Sequence, residues 1–364
     1  MSEHLNSRKY PFFRELAGIL STVLMAFLAF SPALPAGEAW EGPGGLITQA
    51  RTCYQGEWGS EEAYLARPET ERAYQDPAQR ARAKERYRIW RERYDCRWIE
   101  YPVDDLSIDG FIIKPTGTPP EGGWPVIIYN HGGNADIGAV RFPYLAMRLF
   151  PLVDAGFIVL GSQYRGAQVG GAANPDRLRD EFGGADVRDV AALIYISEKL
   201  PEADAERLGM WGTSRGGMMA FLAARGDDRL GAMVVESTPT DLLLALEHRP
   251  DMAEVFQTWI PGFQQDPEGV LEDRSVINWL DELDPAMPIL IIHGAKDGRV
   301  DPVHATRLAE ALKALGRPYK LIVYEGDAHG IRIHHREMIQ EITEWFRDSL
   351  KPANASLGMQ VEPS

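Results

Sequence analysis

Ser214, Asp297 and His329 stand at three separated points of this sequence, and each follows a short apolar run. Ser214 lies in Gly212-Thr213-Ser214-Arg215-Gly216, between the apolar stretches 208–211 and 218–224. Asp297 ends His293-Gly294-Ala295-Lys296-Asp297 after the run 289–292, and His329 lies in Asp327-Ala328-His329-Gly330 after the run 319–324. These three types can perform nucleophilic acyl transfer together. A serine hydroxyl is a poor nucleophile at neutral pH unless an imidazole takes its proton during attack and later returns it to the leaving group. A carboxylate on the far side of the ring fixes the tautomer and stabilises the imidazolium. Asp301 and Asp327 are rivals for that carboxylate; Asp297 ranks first because it follows its strand soonest.

The elements that must position these groups are legible in the flanks. Gly-x-Ser-x-Gly alone is weak, since a solvated surface turn can carry it. Here a strand-like run precedes the turn and a helix-like run follows, and the order Ser, Asp, His along the chain is that of α/β-hydrolases. The tetrahedral intermediate needs donors for its oxyanion. One is the backbone N–H of Arg215, just after the serine. A second is expected from the turn Asn130-His131-Gly132-Gly133-Asn134, which follows the run 126–129; His131 reads as structural or pocket-lining rather than as a second base.

The chain has 364 residues, 45% of them hydrophobic and 25% charged, enough to bury one full core. Strand-like runs at 126–129, 156–161, 208–211, 232–236, 289–292 and 320–324 alternate with helical patterns, which predicts an α/β fold with a mostly parallel sheet covered on both faces. The stretch 98–114 carries Asp109-Gly110 between apolar runs, a hairpin signal, so the sheet is expected to open with antiparallel strands. The catalytic domain is placed at 98–350, with a helical cap inserted at about 238–284. Cap aromatics such as Trp259 and Phe263 are candidates to line a pocket together with His131 and Asn134, or else pack on one another.

At the N-terminus, Arg8, Lys9 and Arg14 precede the apolar stretch 16–30 and small-residue cleavage sites, the pattern of a signal peptide over 1–39; an uncleaved anchor is the alternative. Export to a periplasm or the medium follows, with no stable membrane association after cleavage. In an oxidising compartment Cys53 and Cys96 are expected to pair. They lie in an N-terminal extension, 40–97, whose helix starts at Asp76-Pro77 and presents Ala83, Tyr87, Trp90 and Tyr94 as an apolar stripe for docking. Arg and Glu interleave there and the net charge is −15, which argues against a nucleic-acid partner. Nothing has metal-ligand spacing, and no cofactor is expected. Asp186 and Asp189 read as first-turn carboxylates of a helix, His334 and His335 as surface residues, and 351–364 as a tail.

Several segments resemble the prolyl oligopeptidase (S9) serine peptidases. They are Arg274-Ser275 with Trp279, the stretch 288–300, Leu315 to Tyr319 through Gly316-Arg317-Pro318, the stretch 324–330, and two others at 161–166 and 180–189. The resemblance spans roughly 98–350 and implies that Ser214, Asp297 and His329 form a triad, with Gly133 and Arg215 supplying the oxyanion hole. His131 stands where many members place a Tyr, and Asn134 where others have Pro, so a hole made of backbone alone is expected. The peptidases also carry a long N-terminal β-propeller, and there are too few residues before Trp98 to build one. A peptide bond is therefore the first expectation for the substrate, a small acyl ester the alternative, and an inactive binding protein on the same fold a reading from another class.

Overall fold

A computed structural model describes residues 45–134, 137–167 and 180–351. The expected signal segment 1–39 and all but Lys351 of the expected tail lie outside the described residues. Nine strands among the described residues form one sheet: β1 (Gln49–Thr52), β2 (Tyr94–Val103), β3 (Leu106–Pro115), β4 (Trp124–Asn130), β5 (Ile158–Ser162), β6 (Ala203–Thr213), β7 (Leu230–Glu236), β8 (Ile289–Gly294) and β9 (Tyr319–Tyr324). Their spatial order is β1-β2-β3-β5-β4-β6-β7-β8-β9. The first three strands and the β3–β5 pair are antiparallel, and every later pair is parallel. This is an α/β-hydrolase fold.

Parallel strands need crossovers, and crossover helices cover the sheet, so central strands lose their polar face. Every residue of β4 and of β8 is buried, whereas on the edge strand β9 only Tyr324 is. The helices Val187–Ser197 and Arg215–Ala224 pack on the middle of the sheet, and Val303–Ala314 and His335–Ser349 on its second half. Ser214, Asp297 and His329 follow β6, β8 and β9, so all three loops leave the same, carboxyl edge of the sheet, where open α/β folds build their sites.

The antiparallel opening is present, but its turn is not at Asp109-Gly110. The chain reverses at Asp104-Asp105, with Asp104 at φ 52°, and Gly110 lies inside β3 opposite Ile99. Gly110 is there for closeness: a Cβ would stand 2.7 Å from the Gly161 carbonyl oxygen of the neighbouring strand.

Ahead of β2 the chain forms β1 and then turns helical. Asp76 caps the helix Pro77–Arg93 by accepting from the N–H groups of Ala78 at 2.8 Å and Gln79 at 3.1 Å. Ala83, Tyr87 and Tyr94 are buried; Trp90 meets Phe142 and Phe150 edge-on, and Tyr94 lies 4.4 Å from Phe150 between ring centres. Cys53 and Cys96 form a disulfide with their Cα atoms 5.3 Å apart. Between β7 and β8 the chain forms the helices Leu242–His248, Met252–Trp259 and Pro267–Glu272. Among the described residues no helix is long and apolar enough to cross a membrane.

Candidate active site

Ser214 sits where β6 gives way to the helix Arg215–Ala224, with φ 57° and ψ −127°, a strained conformation for a residue with a side chain. The turn tolerates it because the helix start lies against the neighbouring strand end: a Cβ on Gly216 would overlap the Asn130 carbonyl oxygen. The Ser214 N–H donates to Glu236 O at 2.7 Å, which pins the turn to β7.

Asp297 and His329 are brought together. His329 Nδ1 donates to Asp297 Oδ2 at 2.8 Å, which leaves Nε2 as the ring's acceptor. The other Asp297 oxygen accepts from the N–H groups of Arg299 at 2.9 Å and Val300 at 3.0 Å. His293 Nε2 lies 3.4 Å from Oδ2 while bonding Val300 O at 2.9 Å. Burial would raise this carboxyl's pKa, but the two imidazoles and the Val300 N–H outweigh it and hold the group well below the carboxylate range. Asp297 is therefore ionised, with its side chain shut off from solvent. The rivals are committed elsewhere. Asp301 caps Val303 at 2.9 Å and is 46% exposed. Asp327 accepts from the N–H groups of Arg332 and Ile333 at 2.7 Å and from His334 Nδ1 at 2.6 Å. His334 is thus part of the loop that carries His329, stacked on Tyr324, rather than a free surface residue. Proton transfer from Ser214 Oγ to His329 Nε2 takes place at a separation of about 3 Å.

The turn after β4 does approach Ser214. A Cβ on Gly132 would stand 2.9 Å from Ser214 Cβ and 3.5 Å from its Oγ. Gly133 has φ 84°, and a Cβ there would overlap Ile137 O. His131 is buried and stacked on Tyr164; its Nδ1 donates to Gly132 O at 2.7 Å. Burial lowers its pKa to about 4, so the ring is neutral and shapes the turn rather than carrying charge.

The Arg215 side chain is the largest feature the sequence reading missed. Its guanidinium is buried, donates to Gly133 O at 2.8 Å and to Asp180 Oδ1 at 2.6 Å, and pairs with Asp186. One residue thus offers its N–H beside the serine and clamps the facing turn with its side chain. Asp186 also accepts from the N–H groups of Gly183 at 3.0 Å and Gly184 at 2.8 Å, so it organises the loop before its helix. Asp189 instead holds Arg165, accepting from its N–H at 2.7 Å.

Residues 143–353 match the Prolyl oligopeptidase family, Peptidase S9. The chain belongs to this family. It is 28% identical over 253 residues to the uncharacterized peptidase YtmA of Bacillus subtilis, covering 69% of this chain and 92% of that one. It is 23% identical to dipeptidyl-peptidase 5 of Porphyromonas gingivalis, covering 69% of this chain and 38% of the relative, so it spans well under half the length of some relatives. Among solved structures it is similar to a Mycobacterium tuberculosis puromycin-hydrolyzing peptidase at TM-score 0.61 and 25% identity, covering 70% and 40% of the two chains. The acylaminoacyl peptidase of Pyrococcus horikoshii superposes at TM-score 0.62 with 24% identity, covering 72% and 43%, and speaks for the fold. This S9 chain is a peptidase-like hydrolase, hence an enzyme.

A cavity of about 480 Å³ is lined by Trp259 and Phe263 of the segment between β7 and β8, three glutamines, and Asp180 and Glu181. Asp180 joins it to Arg215, but neither Ser214 nor His329 lines it, nor do His131 and Asn134. Phe256 packs between Phe182 and Phe263 at 5.4 and 6.1 Å, and Trp279 is buried under Arg225, so the aromatics between β7 and β8 divide between packing and lining. Among the described residues no three His, Cys, Asp or Glu are grouped to hold a metal ion.

Proposed function

We propose that this S9 chain is an exported serine peptidase that cleaves amide bonds through an acyl-enzyme. The 2.8 Å bond between His329 and Asp297, at the sheet edge that carries the strained Ser214 turn, is the observation that carries the reading. Ser214 Oγ attacks the scissile carbonyl while His329 Nε2 takes its proton; Asp297 holds the tautomer and the imidazolium. The carbonyl oxygen becomes an oxyanion facing the N–H groups of Arg215 and of the Gly132-Gly133 turn. His329 then gives the proton to the departing amine, and water repeats the sequence to release the acid and regenerate the serine.

That relatives are named peptidases supports amide substrates for this chain, and the Trp259/Phe263 cavity offers an apolar wall with amide partners for a peptide side chain. Export is supported by the buried Cys53–Cys96 disulfide, which persists in oxidising compartments.

The test treats the purified chain and Ser214→Ala with a fluorophosphonate, then assays aminoacyl and dipeptidyl amides beside short acyl esters. Ser214-dependent labelling with amide turnover is expected. Absence of labelling would sink the mechanism, and ester turnover without amide turnover would make the chain an esterase.

A further inference from the structure

We propose that Arg148, with Glu236, is a positioning residue that holds the serine turn and the histidine loop in register; this rests on the serine-hydrolase reading above. Arg148 lies on a short π-helical stretch, Leu145–Leu149, a distortion often found at functional sites. It is 4% exposed, and Glu236 is fully buried. Neither residue touches the reacting atoms. Replacing a buried ion pair with apolar groups of similar volume is often neutral or stabilising, so its presence here calls for a reason other than stability.

The contacts supply that reason. Glu236 grips the serine turn twice: its backbone O accepts the Ser214 N–H at 2.7 Å, and its Oε2 accepts Thr213 Oγ1 at 3.1 Å. Arg148 binds the same Oε2 through one terminal nitrogen, and with the other reaches Gly330 O at 3.4 Å, the carbonyl just after His329. Tyr129, one residue before the Asn130 end of β4, donates to Thr213 Oγ1 at 3.3 Å. The guanidinium therefore joins the end of β7 to the histidine loop, and the ends of β6 and β4 are tied to it through the Glu236 carboxylate and Thr213. A planar fork can address two partners at fixed separation, which an ammonium cannot. The Arg148 guanidinium carbon lies 5.0 Å from the centre of the Trp211 ring, within cation–π range.

The variants are Arg148→Met, Arg148→Lys and the double Arg148→Met/Glu236→Leu, the last leaving no lone buried charge if the single variant fails to fold. For the folded double variant kcat and the fluorophosphonate labelling rate should fall about 10- to 100-fold with KM within about 2-fold, as misplacement of reacting groups does. Arg148→Lys should recover only part of the loss. Hydrogen exchange should quicken at both 212–216 and 327–331, by about 10-fold. Labelling of the double variant at the wild-type rate overturns the proposal. If the wild type itself proves not to label, the hydrolase reading fails, while exchange still judges the coupling: unchanged protection in either segment overturns it.

Discussion

His329 and Asp297 stand on loops that leave adjacent parallel strands, β9 and β8, and are joined by a 2.8 Å hydrogen bond from Nδ1 to Oδ2. The carboxylate is held by backbone N–H groups that do not depend on His329, so removing its charge should spare the loop and disturb the ring. Asp297→Asn is expected to lower kcat by roughly 10³- to 10⁴-fold through the wrong tautomer. Asp301→Asn, on a rival that caps a helix in solvent, should stay within a few-fold. Parallel kinetics on the two variants decide it; equal losses would remove Asp297 from its role.

Arg215 joins two buried carboxylates to Gly133 O. Arg215→Met leaves Asp180 and Asp186 without their guanidinium, which should cost about 3–5 kcal/mol of stability. Arg215→Lys should fold better yet lose turnover, because one ammonium cannot span three partners. Chemical denaturation with steady-state kinetics on both variants tests this; a fully active Lys variant would contradict the clamp.

Burial lowers His131 to about 4. Between pH ~6.5, where the unfolded ring takes up a proton, and about 4, where the folded ring does, the unfolded chain holds more protons, so stability falls as pH falls. The contribution is on the order of 3 kcal/mol across that window and flat below it. Burial, against the opposing pull of Arg165, raises Asp189 to about 7 and tilts the same window the other way. The difference between wild type and His131→Asn therefore isolates the ring. Urea denaturation from pH 4 to 7 should show a shallower acid loss in the variant; parallel curves would refute the assignment.

The disulfide closes a separation of 43 residues. In the chain-entropy picture its loss costs about 4 kcal/mol. Cys53→Ala/Cys96→Ala should melt well below the wild type while keeping kcat in the folded fraction, since the pair lies outside the site. Calorimetry with and without a reductant checks it.

Trp259 lines the cavity and reaches no reacting group. Trp259→Ala is expected to raise KM several-fold for peptides with large side chains and to leave kcat within about 2-fold, the signature of lost uniform binding. A loss confined to kcat would place Trp259 nearer the chemistry.

Ser214, Asp297 and His329 were legible because each follows an apolar run that reads as a strand of the sheet, so a short loop has few places to go. The mostly parallel sheet was legible for the same reason. Asp109-Gly110 misled because a turn dipeptide and a close strand approach both call for glycine, and nothing local separates them. The Arg215 side chain was not legible: its carboxylate partners lie 29 and 35 residues away in sequence. Glu236 is 88 residues from Arg148 and ends an otherwise apolar strand, where a lone charge is the one hint. His293 could have been found by its i, i+4 spacing to Asp297.

The four-residue strand β1 forms one rim of the sheet, and Cys53 directly follows its last residue while Cys96 neighbours the partner of that residue. A slip of β1 along β2 by two residues would keep its side chains facing correctly but would tear the cystine. The rim is thus locked in one alignment and too short to template a foreign strand, which makes this end of the sheet resistant to edge-on aggregation.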